Sequence, residues 1–285
     1  MFFPEENARD RTQLAGALRR LRRQAGLSGE RLAKRANMSQ SKISRIETGK
    51  LLPTTIDVER LIWALRVSPD TANEITALAR TATTEFRTKR RTRQWGIRNR
   101  QRELADLEQR AREIRHVLPV IPTGLLQTPA YLDHTGGGPT GSVPPEERAA
   151  RTANRLARQQ TLDDPDKHFT FVLTEAAVRH RLLDDRELAG QARHLAELDE
   201  MATVSIQVIP LRRRVRWLPL NVFVIYDDKL VTIETDAGLI VLRDPRDIQH
   251  HLELFTQFSA SAFHGEDCRA LLLGIAAGFD AECGG

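Results

Sequence analysis

Residues 14–50 constrain the fold most, because their pattern is typical of three short helices joined by tight turns. The first helix has one apolar face, since apolar residues recur at intervals of three and four at Leu14, Leu18, Leu21 and Ala25. Gly26 follows this helix, and Ser28 is placed to cap a second one. Ser39 is placed to cap a third helix, which ends at Gly49. The stretch therefore predicts a helix-turn-helix.

The third of these helices has an apolar side and a polar side. At about 100° per residue, Ile43 and Ile46 point one way, and the opposite arc is formed by Gln40, Ser41, Ser44 and Arg45. Glutamine pairs with adenine, arginine with guanine, and serine with several groups on base edges in the major groove. The polar arc therefore predicts a base-reading surface for double-stranded DNA. A helical hairpin that packs on another element is the alternative.

This stretch resembles the five-helix DNA-binding domain of phage repressors and of XRE-type bacterial regulators over residues 12–80. The resemblance implies that Gln40, Ser41 and Ser44 contact bases, with Arg45 beside them. It therefore assigns the polar arc the same role as the chemistry of its side chains does.

The same resemblance assigns roles to residues around the polar arc. It places Ser28 near a DNA phosphate, and we expect Lys42 to contact the DNA backbone as well. It also implies a semi-buried ion pair between Arg22 and Glu47, which ties the first helix to the end of the third.

Two further helices complete an all-α domain of five helices, which we assign to residues 1–85. Both have an apolar inner face, formed by Val58, Leu61, Ile62 and Leu65 in one and by Ile75, Leu78, Ala79 and Ala82 in the other. We expect these helices to cover the helix-turn-helix core and to carry no chemistry of their own.

Charge separates the two halves of the chain. Residues 1–102 contain 23 Lys and Arg against 10 Asp and Glu, whereas residues 103–285 contain 20 against 28. A polyanionic partner is therefore expected at the N-terminal end.

The segment 86–102 is especially basic. It is either a solvated linker or an arm that neutralises DNA phosphates, through Arg90, Arg91 and Arg93 among others.

Residues 103–285 predict an α+β domain with an antiparallel sheet. A long helix is predicted from Arg100 to His116, with an apolar stripe at Leu104, Leu107, Ala111 and Ile114. Segments rich in β-branched residues predict strands at 169–173, 204–210, 220–227, 230–235 and 239–242. The glycine-rich segment 134–141 lacks the lysine of a phosphate-binding loop, so we interpret it as a surface loop.

No pattern in the chain indicates an enzyme. Neither an HExxH metal motif nor a Gly-x-Ser-x-Gly nucleophile motif occurs. Two cysteines, Cys268 and Cys283, favour neither a disulfide framework nor a zinc site. We therefore expect no catalytic site, no metal and no cofactor.

No apolar run approaches the ~18 residues of a membrane span, so we expect a cytoplasmic protein that joins the nucleoid when it binds DNA and has no membrane partner.

One basic cluster in the second half is a further binding candidate. The sequence RRRVRW at 212–217 is interpreted as an exposed loop for an acidic partner. A solvated connection between two strands is the alternative.

The second half also resembles the C-terminal domain of an actinobacterial regulator family, of which WhiJ-like developmental regulators are the named examples. The resemblance lies in the order of the segments GLLQTPAYL, RLARQQ, FTFVLTEAAVR, VSIQVIPL, LNVFVIYD and VTIET. It implies a role linked to sporulation or antibiotic production, and a small acidic partner protein.

Together these patterns predict a sequence-specific transcriptional regulator. One recognition helix reads only about four or five base pairs, so we expect a homodimer. Its contact is expected after residue 100, either in the predicted helix with Leu104, Leu107 and Ile114 or on the α+β domain. Two other function classes stay open: an antitoxin-like protein that sequesters a small acidic partner, and a receptor whose α+β domain binds a metabolite.

Overall fold

The computed structural model describes residues 5–88, 107–137, 143–235 and 238–283. The chain divides into two compact units. The first unit comprises Met1–Arg87 together with Ile240–Gln249, and the second comprises Thr88–Leu239 together with His250–Gly285. The predicted basic segment with Arg90, Arg91 and Arg93 lies outside the described residues, so its role stays a prediction.

The first unit contains the five predicted helices. Their bounds are α1 (Glu5–Gln24), α2 (Gly29–Ala36), α3 (Gln40–Glu47), α4 (Thr55–Leu65) and α5 (Pro69–Thr83). The hydrophobic core draws on all five helices and includes Leu14, Leu18, Leu32, Ala33, Ile43, Ile46, Leu61 and Ile75. The apolar spacing in the sequence therefore identified the inward faces correctly except at Ala25, which follows α1 and is exposed, and the helical N-terminal region is confirmed.

Side-chain caps set where these helices begin. The Ser28 hydroxyl accepts the Arg31 N–H at 3.2 Å at the start of α2. The Ser39 hydroxyl accepts the Lys42 N–H at 3.2 Å at the start of α3. Each cap satisfies a backbone donor that has no partner within its own helix. Local sequence therefore determines these helix starts.

Seven strands are present in the described part of the chain. Their bounds are β1 (Thr84–Thr88), β2 (Glu113–Leu118), β3 (His168–Thr174), β4 (Val204–Ile209), β5 (Val222–Tyr226), β6 (Leu230–Glu234) and β7 (Gly238–Leu242). Strands β2 to β7 lie in the order β7-β6-β5-β2-β3-β4, and β1 lies beside β7. The second half is therefore α+β, as the sequence predicts.

The sheet is mixed, so the prediction of an antiparallel sheet was wrong for part of it. β3 runs parallel to both β2 and β4, whereas β5 runs antiparallel to β2 and β6. The physical reason is the connections: helices separate β2 from β3 and β3 from β4, and such crossovers join parallel neighbours. The tight turn at Asp227–Asp228, by contrast, joins β5 and β6 as an antiparallel hairpin.

The predicted helix from Arg100 to His116 was wrong at its C-terminal end. Residues 107–110 are helical, but β2 begins at Glu113 and pairs on both sides. Pairing with strands far along the chain overrides the local helical spacing, because it buries β-branched residues such as Ile114 completely. Ile114 is therefore part of the sheet core and cannot contribute to the expected dimer contact. Leu104 lies outside the described residues.

Further helices belong to the second half of the chain. They are α6 (Pro129–Gly136), α7 (Pro145–Gln159), α8 (Glu175–Arg179), α9 (Asp185–Leu198), α10 (Pro245–Ser261) and α11 (Gly265–Glu282). The first residues of the predicted loop 134–141 belong to α6, whereas residues 138–142 lie outside the described part. No helix in the described ranges is long and apolar enough to span a membrane.

Candidate nucleic-acid interface

The outer face of α3 presents the predicted polar arc to solvent. The side chains of this arc are all exposed: Gln40, Ser41, Ser44 and Arg45. Ile43 and Ile46 on the inner face are each only 2% exposed. Because two buried isoleucines hold the helix against the core, its polar face is presented without need of rearrangement. Such a face offers the donors and acceptors that base edges in the major groove require.

The turn between α2 and α3 fixes the two helices against each other. Asn37 ends α2 in the left-handed conformation, with a φ of 51°, which asparagine tolerates better than most residues. The Met38 N–H then donates to the Ala33 carbonyl at 2.9 Å. Ala33 is buried near this turn, and its small side chain allows α2 and α3 to approach each other closely. The tight turn therefore sets the direction in which α3 leaves α2.

Arg22 and Glu47 form a two-pronged ion pair between α1 and α3. Arg22 Nε donates to Glu47 Oε1 at 2.6 Å, and Nη2 donates to Oε2 at 2.9 Å. Arg22 Nη1 also donates to the Leu27 carbonyl at 2.7 Å. The hydrogen bond to Glu47 raises the pKa of Arg22 above its ordinary value. The pair joins α1, the turn before α2 and the end of α3, so it fixes the position of α3 against α1.

Lys42 makes a contact that the sequence analysis missed. Its Nζ lies 2.6 Å from Oδ1 of Asp57 at the start of α4. Asp57 also forms a reciprocal cap with Thr54, whose N–H donates to Asp57 Oδ2 at 3.0 Å. The spacing of Thr54 and Asp57 is that of a capping box, and this signal could have identified Asp57 from sequence. The expected contact of Lys42 with the DNA backbone stays a prediction.

Replacing Asp57 by alanine is expected to lower the free energy of unfolding by about 1–3 kcal/mol, because it removes the acceptor of the Thr54 N–H in the capping box of α4 and the partner of Lys42 together. Burial alone would raise the pKa of Asp57, but hydrogen bonds from Lys42 and Thr54 outweigh it and hold the pKa below its usual value. The contribution of the carboxylate is therefore complete above its ordinary pKa and is lost as the pH falls through the lowered value.

Denaturant unfolding at neutral and at acid pH measures both effects. The difference between the Asp57→Ala variant and the native chain should shrink as the pH falls. Glu59→Ala is the control, since Glu59 lies on the same helix but forms an exposed ion pair with Arg246. This control should lower the free energy of unfolding by less than about 1 kcal/mol. Equal losses for the two variants would contradict the structural role of Asp57.

A shallow hollow beside the polar arc is lined in part by residues that the sequence pattern did not indicate. Gln40 and Ser44 line this hollow together with Arg19 of α1 and Gly29 at the start of α2. Arg19 is exposed and adds a positive charge beside α3. Ser28, which precedes Gly29, is exposed as well. The Ser28 hydroxyl accepts the Arg31 N–H as the cap of α2, which leaves its O–H able to donate to a phosphate, and the expected phosphate contact stays a prediction.

Comparison with known proteins finds a family match in the N-terminal part of the chain. Residues 13–75 match a family described as a helix-turn-helix domain. No curated protein matches the chain. The region that matches the helix-turn-helix family contains α2, the tight turn and α3, so the family match and the geometry agree on the N-terminal part.

Two solved structures are similar at low scores. Nuc from Salmonella typhimurium, a phospholipase D family member, is 9% identical, with a TM-score of 0.33 over 57% of this chain and 90% of that one. TrmBL2, an archaeal chromatin protein with a novel mode of DNA binding, is 11% identical, with a TM-score of 0.32 over 73% of this chain and 66% of that one. Likeness this low carries no conclusion about the chain.

Residues 101–274, well over half of the sequence, match the family described as "Domain of unknown function (DUF5753)", and the chain belongs to that family.

Proposed function

We propose that the chain is a sequence-specific DNA-binding transcriptional regulator that reads bases with α3. The observation that carries this proposal is the exposed polar arc of Gln40, Ser41, Ser44 and Arg45 on a helix whose opposite face is buried. The family match over residues 13–75 supports it independently of the side chains. In this proposal the basic segment with Arg90, Arg91 and Arg93 adds phosphate contacts, which strengthen binding without specifying sequence.

The proposal extends to assembly and to partners. A homodimer would set two recognition helices about 34 Å apart, one DNA turn, and so double the length of sequence that is read. We place the dimer contact on the second unit, away from the buried strand β2. The resemblance to WhiJ-like actinobacterial regulators supports a role in development or antibiotic production, in the cytoplasm and with a small acidic partner protein. The proposed activity of the second unit is binding and not catalysis.

Replacing Gln40 or Arg45 by alanine is expected to weaken binding to the cognate site by roughly 1–3 kcal/mol, with far less effect on random DNA. The reason is that a base-reading side chain contributes only where the matching base is present. The cognate site is first identified by genome-wide mapping of bound DNA, and affinities of the full chain are then measured on that site and on random duplexes at fixed salt.

Arg60→Ala provides the matched control, since Arg60 is exposed on α4 and lies outside the polar arc. Its affinity for the cognate site should stay close to that of the native chain. If the Gln40 and Arg45 variants lose affinity equally on cognate and random DNA, α3 does not specify sequence and the proposal fails.

A further inference from the structure

Residues 211–220, which connect β4 to β5, combine exposed apolar side chains with unopposed positive charge; we name them the basic-apolar loop. Its large apolar side chains are 50–76% exposed, and they are Leu211, Trp217, Leu218 and Leu220. It also contains exposed arginines and no acidic residue, the arginines being Arg212, Arg213, Arg214 and Arg216. Single exposed apolar residues are ordinary, but a group of them beside charge marks an interaction site.

The base of the basic-apolar loop is held by contacts with the rest of its unit. The Leu211 N–H donates to Glu175 Oε2 at 2.8 Å. The Arg213 N–H donates to the Pro210 carbonyl at 3.1 Å, and the Arg213 guanidinium lies 5.9 Å from the centre of the Phe263 ring. These contacts fix where the loop leaves the sheet, so its exposed side chains project from a defined place.

The basic-apolar loop lies at the edge of the sheet where three parallel strands end. Leu118 at the end of β2 pairs with Leu173, and Thr174 at the end of β3 pairs with Ile209 at the end of β4. Val120, which follows β2 closely, is therefore at the same edge, and it is 52% exposed. It adds a fifth apolar side chain to this surface.

We propose that the basic-apolar loop and Val120 bind an acidic, amphipathic segment of a partner protein. Carboxylates of that segment pair with the loop arginines, whose planar guanidinium groups match carboxylate geometry. Its apolar side chains cover Trp217 and the neighbouring leucines. Tryptophan and arginine are the residue types that contribute most to protein interfaces. This inference deepens the proposed function by giving the second unit a defined partner surface, but it does not depend on base reading by α3.

Other occupants fit the surface less well. Duplex DNA offers phosphates to the arginines but little apolar surface to the three leucines. A symmetric contact with a second copy would bring two sets of four arginines together, which is unfavourable. An anionic membrane is an extended charged surface, so it would also face the acidic excess of residues 103–285, which contain 28 Asp and Glu against 20 Lys and Arg, whereas a short acidic segment contacts the loop alone.

The test measures binding of a fluorescein-labelled helical peptide, with glutamates on one face and leucines on the other, to the full chain by fluorescence anisotropy. A peptide of the same composition in scrambled order is the comparison. One variant removes apolar groups, Trp217→Ser with Leu220→Ser, and a second removes charge, Arg212→Ser with Arg214→Ser and Arg216→Ser. We expect each variant to weaken peptide binding at least tenfold, and the thermal unfolding midpoint to stay unchanged because these side chains are exposed.

The matched control is Arg186→Ser with Leu273→Ser, an exposed arginine and an exposed leucine elsewhere in the same unit. This control should bind the peptide as the native chain does. The proposal is overturned if the native chain does not bind the peptide, if the scrambled peptide binds equally, or if the loop variants bind as well as the control.

The same variants are tested against random-sequence duplex DNA and against vesicles of phosphatidylcholine with phosphatidylglycerol. Loss of binding to DNA or to vesicles, with peptide binding unchanged, would assign the loop to that other partner and overturn the proposal. The loop variants should keep their affinity for the cognate DNA site, and Gln40→Ala should keep its affinity for the peptide. Failure of the partner surface and failure of the proposed DNA reading are thereby distinguished.

Discussion

Replacing Arg158 by methionine is expected to destabilise the second unit by about 3–5 kcal/mol, because Glu108 is then left as an unpaired buried charge. Glu108 is only 1% exposed. Arg158 on α7 donates from Nε to Glu108 Oε2 at 2.7 Å, and its Nη2 donates to Oε1. Burial alone would lower the pKa of Arg158, but the hydrogen bonds and charge of Glu108 outweigh it and raise the pKa. Arg158 is therefore charged in the folded state.

Denaturant unfolding of three variants tests the role of this pair. Arg246→Met is the matched control, since Arg246 forms an ion pair with Glu59 in which both side chains are 57% exposed. Its loss should stay below about 1 kcal/mol. The double change Arg158→Met with Glu108→Leu should recover most of the stability, because it removes the unpaired charge as well as its partner. A loss at Arg158 no larger than that of the control would contradict a buried ion pair.

The stability of the second unit is expected to fall as the pH drops below the ordinary pKa of histidine, because His116 is buried in the neutral form. Burial, with the positive charge of Arg158 nearby, lowers the pKa of His116 to about 3. The unfolded chain therefore takes up a proton at a higher pH than the folded chain does. Stability is complete above the unfolded value of about 6.5 and is lost at up to about 1.4 kcal/mol per pH unit as the pH falls towards the folded value.

The variant His116→Leu should remove this pH dependence. Both ring nitrogens of His116 lack a hydrogen-bond partner among the described residues, so the apolar substitution should cost little at neutral pH. His116→Phe keeps the stacking on Phe171, whose ring centre lies 4.7 Å away. His168→Gln is the control, because His168 is exposed on the neighbouring strand. Unfolding curves at several pH values test this prediction. If the free energy of unfolding of His116→Leu depends on pH as steeply as that of the native chain, another group is responsible for the pH dependence.

The sequence predicted the first unit well because its signals are local. Ser28 and Ser39 cap helices within three residues of themselves, and the isoleucines of α3 recur at helical spacing. The ion pair of Arg22 with Glu47 came from a family resemblance, since no spacing rule connects residues this far apart. The pairing of Lys42 with Asp57 was missed for the same reason, although the capping box at Thr54 was visible.

The second unit was predicted less well because its determining contacts are distant in sequence. The strand β2 contains His116 and looks helical by its apolar spacing, yet it becomes a strand through pairing with β3 and β5. The burial of Glu108 and His116 could not be deduced either. Glu108 and His116 lie in the segment predicted as a helix, where charged and titratable residues are usually exposed. Their burial becomes visible only in the folded structure.

The position of β2 between β3 and β5 also bears on the order of events during synthesis. The five helices of the first unit make their contacts as soon as the chain has passed Thr83. When β2 emerges, however, neither of its neighbours has been made, and it is paired on both sides only after Tyr226 has left the ribosome. Until then the backbone N–H and C=O groups on both edges of this apolar strand are unpaired. Unpaired strand edges promote aggregation of incompletely folded chains. We therefore expect this chain to be most prone to aggregation between the emergence of β2 and the emergence of β5.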